Sequence, residues 1–430
     1  MNRNSFFYHN IIKLSLLGLS LLFLLNCSTN THTPTKRHKN LSYLYNDSEV
    51  FIHPEYQIYN FSKDSSIVFC KIPVNELLIK DLGEKYDKYA LLEIHYRVYE
   101  SLSVSSMIDS ATFTQRIIVN EKNPNSIYSF KIKSPNYRKS YLRIFLKDVF
   151  SERKRRDYLT INKTRSVNRQ SYLVKGSENR EVLFGNEILI NKEYDILSPL
   201  FTKYKLYVQE QDEIIEIANL PSSTSRTPAV KFISDTTYLN ETFSIKANRA
   251  SLIFLTFDTL KIKGVALYAK DSVYNQLRTP TQMLQPLSYL LSNKEYNNLL
   301  IDSNPKYALD KFWLKIGGNT RHASEMIKVY YKRVAVANKY FSSYKKGWMT
   351  DKGMIYIIYG EPSKVYKSET LERWIYGSVD SESSLSFDFN LQRNPFSEND
   401  FSLIRKESYH KSWFQAIDAW RNGRIYSVAK

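Results

Sequence analysis

An indole, a hydroxyl and two carboxylates lie close together in the C-terminal part of the sequence, at Trp348, Thr350, Asp351 and Glu361. Aromatic rings and carboxylates that converge on one cleft can bind a ligand, and a perturbed carboxylate there can exchange protons with it. These four residues are therefore a candidate ligand groove. The alternative is structural: the indole locks two elements together, and the polar side chains hydrogen-bond the backbone of a turn. The sequence leaves both interpretations open.

The sequence has none of the short patterns that would assign a reaction. Its seven His include no zinc-binding HExxH pair, and there is no GxSxG, P-loop or GxGxxG pattern. His95 and His322 are better explained as surface or capping residues. We therefore predict no metal site and no cofactor, and the sequence identifies no catalytic residue.

The N-terminus has the parts of an export signal. Arg3 and Lys13 lie in a segment without acidic residues, and residues 14–25 are mostly apolar but too few to span a membrane comfortably. The run ends in Leu24-Leu25-Asn26-Cys27, which resembles the lipobox of bacterial lipoproteins, although Asn26 replaces the usual Gly, Ala or Ser. The resemblance implies that the signal peptide 1–26 is removed and that Cys27 carries diacylglycerol and an N-acyl chain such as palmitate. The alternative is a short buried helix with an incidental cysteine.

The same resemblance implies a location for the protein. Ser28 rather than Asp follows Cys27, which in Gram-negative lipoproteins implies the outer membrane. Residues 27–40 lack apolar anchors and are predicted to form a disordered tether. The tether also lacks an acidic cluster, which favours the periplasmic face over the cell surface. A tether of this length reaches about 20 Å on average and would keep the first domain near the membrane.

Positive charge is concentrated in one part of the chain. The net charge is +18, and residues 131–170 hold thirteen Lys or Arg against three acidic residues, a local excess of +10. Arg143 and Lys147 should point outward from a strand, and Arg153, Lys154, Arg155 and Arg156 should lie at a hairpin tip. We predict that these six residues contact an anionic surface, either lipid headgroups or an envelope polysaccharide. The alternative is a solvated basic loop.

Residues 41–278 show the period of two that is typical of β-strands. Leu92, Ile94, Tyr96 and Val98 alternate with polar side chains, as do Leu142, Ile144 and Leu146. We predict tandem immunoglobulin-like β-sandwiches, a first β domain over 41–172 and a second over 173–278. Cys70 follows Ile67-Val68-Phe69 and is expected to be a buried structural thiol.

Residues 279–430 are predicted to form an α+β domain. Residues 283–300, 307–316 and 321–344 have helical spacing, the last of these being the clearest. Lys345, Lys346 and Gly347 would end that helix. Strands are predicted over 354–359, 373–376 and 384–389, so that the helix leads into a hairpin. Gly353 and Gly360 would supply unusual dihedral angles at its turns.

The centre of this domain resembles a known family. Gly347-Trp348-Met349-Thr350-Asp351 matches the motif of GWxTD-domain proteins, and Tyr359-Gly360-Glu361-Pro362 matches the turn that follows it. The resemblance covers roughly residues 280–390. It implies an exported protein with β domains ahead of the motif domain, and it brings no established activity.

Two functions remain open at this stage. The first is an outer-membrane-anchored lipoprotein that binds or scaffolds an envelope protein or an anionic polysaccharide. The second is an envelope enzyme whose dispersed site lies in the GWxTD domain. Binding to nucleic acid fits the charge but conflicts with export, so nucleic acid is not an expected partner.

Overall fold

The fold is described from a computed structural model. The described residues are 40–45 and 51–426, except for 82, 84–87, 102–105, 120–122, 137, 165–166, 201–205, 213–216, 223–233, 239–241, 258–263, 272–276, 278, 369, 379–383, 393–396 and 398. Asn40–Lys430 form one compact unit. The predicted signal peptide, Cys27 and the tether up to residue 39 lie outside the described residues. No described helix is long and apolar enough to cross a membrane.

The first β region is a sandwich of two antiparallel sheets. One sheet has the order β1-β2-β5 and the other the order β4-β3-β6-β7, as in immunoglobulin-like Greek-key sandwiches. The alternating residues Leu92, Ile94 and Val98 are fully buried between the sheets, as predicted, and so is Cys70. The strands are β1 Glu55–Tyr59, β2 Ser65–Pro73, β3 Tyr89–Tyr99, β4 Met107–Ile118, β5 Asn125–Lys133, β6 Lys139–Asp148 and β7 Lys154–Asn162.

The second β region also has two sheets that share one core. The sheets have the orders β13-β10-β8 and β12-β11-β14-β15-β9, and β9 is parallel to β15. Strand β14 is buried on both faces, because Phe254 packs against Tyr344 of the C-terminal region. The strands are β8 Leu173–Gly176, β9 Glu187–Leu189, β10 Glu193–Leu197, β11 Leu206–Asp212, β12 Ser234–Tyr238, β13 Thr242–Lys246, β14 Ser251–Thr256 and β15 Val265–Lys270.

The C-terminal region packs helices against a four-stranded antiparallel sheet of order β16-β17-β18-β19. Its core contains the fully buried rings of Trp313, Trp348, Trp374 and Trp420. The helices are α1 Pro280–Leu284, α2 Asn293–Leu300, α3 Pro305–Gly317, α4 Thr320–Phe341, α5 Asp351–Tyr359 and α6 Tyr409–Arg421. The strands are β16 Lys364–Lys367, β17 Leu371–Tyr376, β18 Leu385–Leu391 and β19 Phe401–Leu403. The mainly β chain with an α+β C-terminal part is thus confirmed.

Two predictions of secondary structure in the C-terminal region need correction. The predicted strand over 354–359 is instead the last six residues of helix α5, and every residue of that helix is buried. A short run such as Ile355–Ile358 has no exposed face, so its spacing cannot distinguish a buried helix from a strand. The predicted helix over 283–300 is interrupted by a 3₁₀ turn at Gln285–Tyr289, which contains Pro286, and α2 starts anew after the capping residue Ser292.

Gly347 and Gly353 are required because backbone atoms of other segments lie too close to leave room for a Cβ atom, and not because of an unusual dihedral angle. Helix α4 already ends at Phe341, so Gly347 does not terminate it. A Cβ on Gly347 would lie 1.9 Å from the Ala337 carbonyl oxygen, and one on Gly353 would lie 1.9 Å from that of Gly347. Only Gly360 has the predicted positive φ, at 85°. The motif therefore places three backbone segments in direct contact.

The first described residues do not join the first β domain, where the sequence pattern puts them. Residues Ser42–Tyr45 form a 3₁₀ turn, and Tyr45 is part of the C-terminal core. The Leu41 N–H donates to the Val365 carbonyl at 2.9 Å. The first described residues therefore pack against the C-terminal region and not against the first β domain.

Candidate functional site

Trp348 lies at the centre of a 3₁₀ turn over Gly347–Met349 and is fully buried. Its backbone N–H donates to the Asn338 side chain at 3.0 Å, and its carbonyl accepts the Tyr289 hydroxyl at 2.8 Å. The indole also meets the Tyr289 ring edge to face at 6.2 Å. Trp348 therefore holds this turn against α4 and the segment before α2.

Thr350 caps the N-terminus of α5. Its hydroxyl accepts the Gly353 N–H at 3.0 Å and donates to the Gly347 carbonyl at 2.7 Å. A cap of this kind satisfies a backbone donor that the first helical turn leaves open. Thr350 is buried, whereas Glu361, after the end of the helix, is exposed.

Asp351 forms a buried ion pair that joins three parts of the chain. Its carboxylate accepts both terminal nitrogens of Arg405, at 2.6 and 3.0 Å, and the Leu403 N–H at 2.7 Å. The same guanidinium donates to the carbonyls of Asn219 and Leu220, each at 3.3 Å. The Ala218 N–H donates to the Met349 carbonyl at 2.9 Å. The motif thus connects α5 both to β19 and to a loop of the second β region.

The four candidate groove residues are therefore not presented together to solvent. Trp348, Thr350 and Asp351 are buried with their backbone or polar groups in internal contacts, and Glu361 alone is exposed. Within the described residues, the side-chain oxygens of Thr350 and Asp351 serve the local structure, whereas the buried indole N–H of Trp348 has no hydrogen-bond partner. Among those same residues, no three His, Cys, Asp or Glu side chains form a cluster that could hold a metal ion.

A second polar cluster, which the sequence analysis missed, lies beneath the sheet of this region. Glu372 on β17 is fully buried. Its carboxylate accepts the Lys352 ammonium at 2.7 Å, the Trp374 indole N–H at 2.8 Å and the Tyr45 hydroxyl at 2.6 Å. The period of two on β17 puts Glu372 on the same face as the buried Trp374. This alternation in the sequence is the signal that could have indicated a buried Glu372.

The charges of this cluster stabilise one another. Burial by itself favours the neutral acid, but Lys352, Lys367 and the hydrogen bonds outweigh it and lower the pKa of Glu372 to about 2. Burial lowers the pKa of Lys352, whose ammonium lies 3.4 Å from the centre of the Phe401 ring. Burial, together with Glu372, raises the pKa of Tyr45, so the phenol keeps its proton and donates it.

The basic residues of the first sandwich are brought together by strand register. The register places Arg143 beside Arg97 and Tyr158, Phe145 beside His95 and Arg156, and Lys147 beside Glu93 and Lys154. These residues point away from the core, because Leu142, Ile144 and Leu146 between them are buried. We call this surface of β3, β6 and β7 the outer basic face.

Four of the six predicted contact residues lie on the outer basic face: Arg143, Lys147, Lys154 and Arg156. Arg155 does not, because it pairs with Leu146 in register and faces the core. Its guanidinium contacts the Asp157 carboxylate at 2.8 Å and donates to the Ile52 carbonyl at 2.7 Å. Arg153 lies at the turn and donates to the Glu76 carbonyl at 3.2 Å. The predicted hairpin tip is wrong for residues 154–156, since β7 begins at Lys154.

The outer basic face alternates cations with aromatic rings. The Arg143 guanidinium lies between Tyr99 and Tyr158, at 4.9 and 5.2 Å from the ring centres, and Arg156 lies 4.8 Å from Phe145. The Nε of Arg143 is buried and has no hydrogen-bond partner among the described residues. Rings that support guanidinium groups limit the motion of these groups.

Two further arginines extend this surface, and both lie outside the basic stretch that the sequence analysis singled out. Arg97 is exposed, and its Nε donates to His95 at 2.8 Å. Arg116 on β4 is exposed and stacks on Tyr89 at 4.2 Å. Burial and Arg97 lower the pKa of His95, so it adds no charge at neutral pH. The strand register of β3 and β4 is what shows that Arg97 and Arg116 lie on the same surface as the basic stretch.

Comparison with known proteins gives a family-model match and distant structural similarities. A family model described as the GWxTD domain matches residues 251–422, which include β14 and β15 as well as the helical region. The crystal structure of red sea bream transglutaminase is similar over 52% of this chain and 32% of that one, with 8% identity and a TM-score of 0.19. The chain thus spans about a third of the length of that structure, and the similarity is too weak to relate the two proteins. No curated protein matches the chain.

Proposed function

The chain carries a GWxTD domain, and we propose that it is an outer-membrane lipoprotein that binds an anionic polysaccharide of the cell envelope through its outer basic face. The observation that supports this proposal best is the register that gathers Arg97, Arg143, Lys147, Lys154 and Arg156 on one side of the sheet. In this proposal the GWxTD domain, whose motif is used internally, serves as the structural body that carries the sandwich.

Charge and shape both favour a polymer as the ligand. The five cations meet two carboxylates, Glu93 in the same three register rows and Glu152, which pairs with Lys147 at 2.8 Å. A chain of carboxylates or phosphates therefore still meets a net positive surface. Tyr158, Phe145 and Tyr99 offer flat rings between the cations. Sugar rings can stack on such surfaces while their acidic groups bind the neighbouring arginines.

A lipid bilayer fits this face less well. Proteins that lie in a membrane interface insert apolar side chains below the headgroups. Among the described residues, the strongly exposed large hydrophobic side chains include none on β3, β6 or β7, and on the neighbouring β4 only its terminal residues Met107 and Ile118 are of this kind. An envelope protein or lipid headgroups therefore rank behind polysaccharide as the expected ligand.

A charge-removal variant tests the binding proposal. Arg97, Arg143, Lys154 and Arg156 are replaced together by Ser in a chain that starts at residue 40, and binding to an immobilised, lipid-free acidic polysaccharide such as delipidated lipopolysaccharide is measured. At about 1 kcal/mol per cation at low salt, we expect at least a 100-fold loss of affinity. The matched control replaces four exposed cations of the C-terminal region, Lys306, Lys311, Lys315 and Arg321. Equal losses in both variants would show only an effect of net charge and would refute the proposed face.

The lipid anchor is a separate part of the proposal and has its own test. Cells that express wild type or Cys27→Ala are labelled with an alkyne fatty acid, and their membrane and soluble fractions are compared. We expect label and membrane association for wild type. The variant should carry no label, because the thiol is the only proposed acylation point, and it should either leave the membrane fraction or keep its signal peptide. Label that persists in the Cys27→Ala chain would rule out acylation at this residue.

A further inference from the structure

The first six described residues, Asn40 to Tyr45, lie across the GWxTD domain although they precede both β-sandwiches in the chain. We call this segment the strap. It bonds to residues more than 300 positions away in sequence. Its contacts follow a pattern that recurs when proteins bind peptides, with backbone pairing at a sheet edge and a pocket for one side chain.

The first part of the pattern is an edge of the sheet. Strand β16 ends the order β16-β17-β18-β19, so one of its sides is open to a further strand. The strap occupies that side: the Leu41 N–H donates to the Val365 carbonyl at 2.9 Å, and the Val365 N–H donates to the Asn40 side chain at 2.9 Å. Both hydrogen-bonding groups of Val365 are thus satisfied by the strap.

The second part is a pocket that holds Tyr45. The phenol ring lies 5.1 Å from Phe341 and 5.5 Å from Trp374, and its hydroxyl donates to the buried Glu372 carboxylate at 2.6 Å. The Tyr45 carbonyl accepts the Tyr356 hydroxyl at 3.2 Å. A ring-lined pocket with a carboxylate at its base selects an aromatic side chain that carries a hydroxyl donor.

Contacts that do not involve the strap hold the residues of the pocket in place. Glu372 is already held by Lys352 and by the indole N–H of Trp374, at 2.7 and 2.8 Å. Residues of α4, α5 and β17 supply the aromatic wall and are fixed by the core of the domain. A site that is already ordered loses little conformational entropy when it binds an occupant, and this favours the binding of a ligand in place of the strap.

From these contacts we infer that the GWxTD domain contains a binding site for short peptide segments that end in tyrosine, and that the strap fills this site in cis. The ligand class is a short segment whose first residues, including a side-chain amide, pair with the edge of β16, and whose following 3₁₀ turn places a tyrosine in the pocket about five positions later. This site is separate from the outer basic face, and the inference does not rest on the polysaccharide proposal.

The test supplies the strap in trans. In the full chain, residues 40–45 are replaced by an alternating Gly-Ser segment of equal length, which empties the site. A fluorescein-labelled peptide Asn-Leu-Ser-Tyr-Leu-Tyr is titrated with this chain and with wild type, and fluorescence anisotropy is recorded. We expect saturable binding to the strap-replaced chain and at least 10-fold weaker binding to wild type, whose site is occupied. A peptide with Phe at its last position should bind about 10-fold more weakly, because it lacks the donor for Glu372.

Several results would overturn the inference. One is the absence of saturable binding to a strap-replaced chain that keeps a native circular-dichroism spectrum and a cooperative melt. Another is equal binding of a scrambled peptide of the same composition. If the strap-replaced chain does not fold, Tyr45→Ala, which keeps Asn40 and Leu41, takes its place in the same titration. If that chain also fails to fold, the strap is a structural element and not an exchangeable ligand.

Discussion

At the scale of single residues, buried charge rather than exposed charge defines the C-terminal region. Glu372 is fully buried, and Asp351 and Arg405 are each about nine-tenths buried. Each of these carboxylates is paired and also accepts at least one further hydrogen bond. A buried ion pair of this kind contributes little net stability, but loss of one partner leaves an unpaired buried charge and costs several kcal/mol. The polar residues of the motif are therefore best understood as structural.

The Glu372 cluster predicts a specific pH dependence. The folded-state pKa of about 2 lies below the ordinary value of 4.5, so the ionised carboxylate stabilises the fold at neutral pH and loses that effect as the pH falls from about 5 towards 2. Glu372→Gln should lower the free energy of unfolding by roughly 3–5 kcal/mol at pH 7. The difference from wild type should narrow by about 2 kcal/mol at pH 3.

Urea denaturation at the two pH values measures this effect. Glu361→Gln serves as the control, because it removes an exposed carboxylate of the same domain and should change stability by less than about 0.5 kcal/mol at either pH. A Glu372→Gln deficit that is the same at pH 7 and pH 3 would mean that this carboxylate does not have a depressed pKa.

At the scale of elements, the sequence predicts those whose two faces differ and fails for those buried on all sides. Alternation of Leu92, Ile94 and Val98 with polar residues correctly predicts β3, and the helical spacing of Met326, Tyr330 and Val334 correctly predicts α4. Helix α5 was predicted as a strand because its residues are all buried and carry no periodic signal. Alternation on β17 can indicate that Glu372 is buried, but its partner Tyr45 and the strap come from distant parts of the chain, and periodicity cannot report such contacts.

The assignment of α5 as a helix can be tested at its cap. In a helix, Thr350→Ala removes the acceptor for the Gly353 N–H and the donor to the Gly347 carbonyl. It should therefore cost about 1–2 kcal/mol. Thr350→Ser keeps the hydroxyl and should recover most of that loss. Chemical denaturation of the three chains measures both effects, and equal stability of the Ala and Ser variants would contradict the capping role.

At the scale of the whole molecule, the first and last described residues both contact the C-terminal region. The outer basic face lies on the first sandwich. Asn40, where the predicted tether ends, is bonded to the β16 side of the GWxTD domain. The expectation that a short tether keeps the first sandwich near the membrane stays a prediction, because residues 27–39 lie outside the described residues. In our proposal the outer basic face of the sandwich contacts polysaccharide.

The most direct test of the polysaccharide proposal is a lysine footprint of the bound protein. Wild-type chain is treated with a limiting acetylating reagent with and without saturating acidic polysaccharide, and modification of each lysine is read by mass spectrometry. Lys147 and Lys154 lie on the outer basic face, whereas Lys306, Lys311 and Lys315 are exposed on α3 of the GWxTD domain. Our account predicts that the polymer slows acetylation of Lys147 and Lys154 several-fold and leaves the α3 lysines unchanged. Uniform protection of all five lysines, or protection of α3 alone, would contradict it.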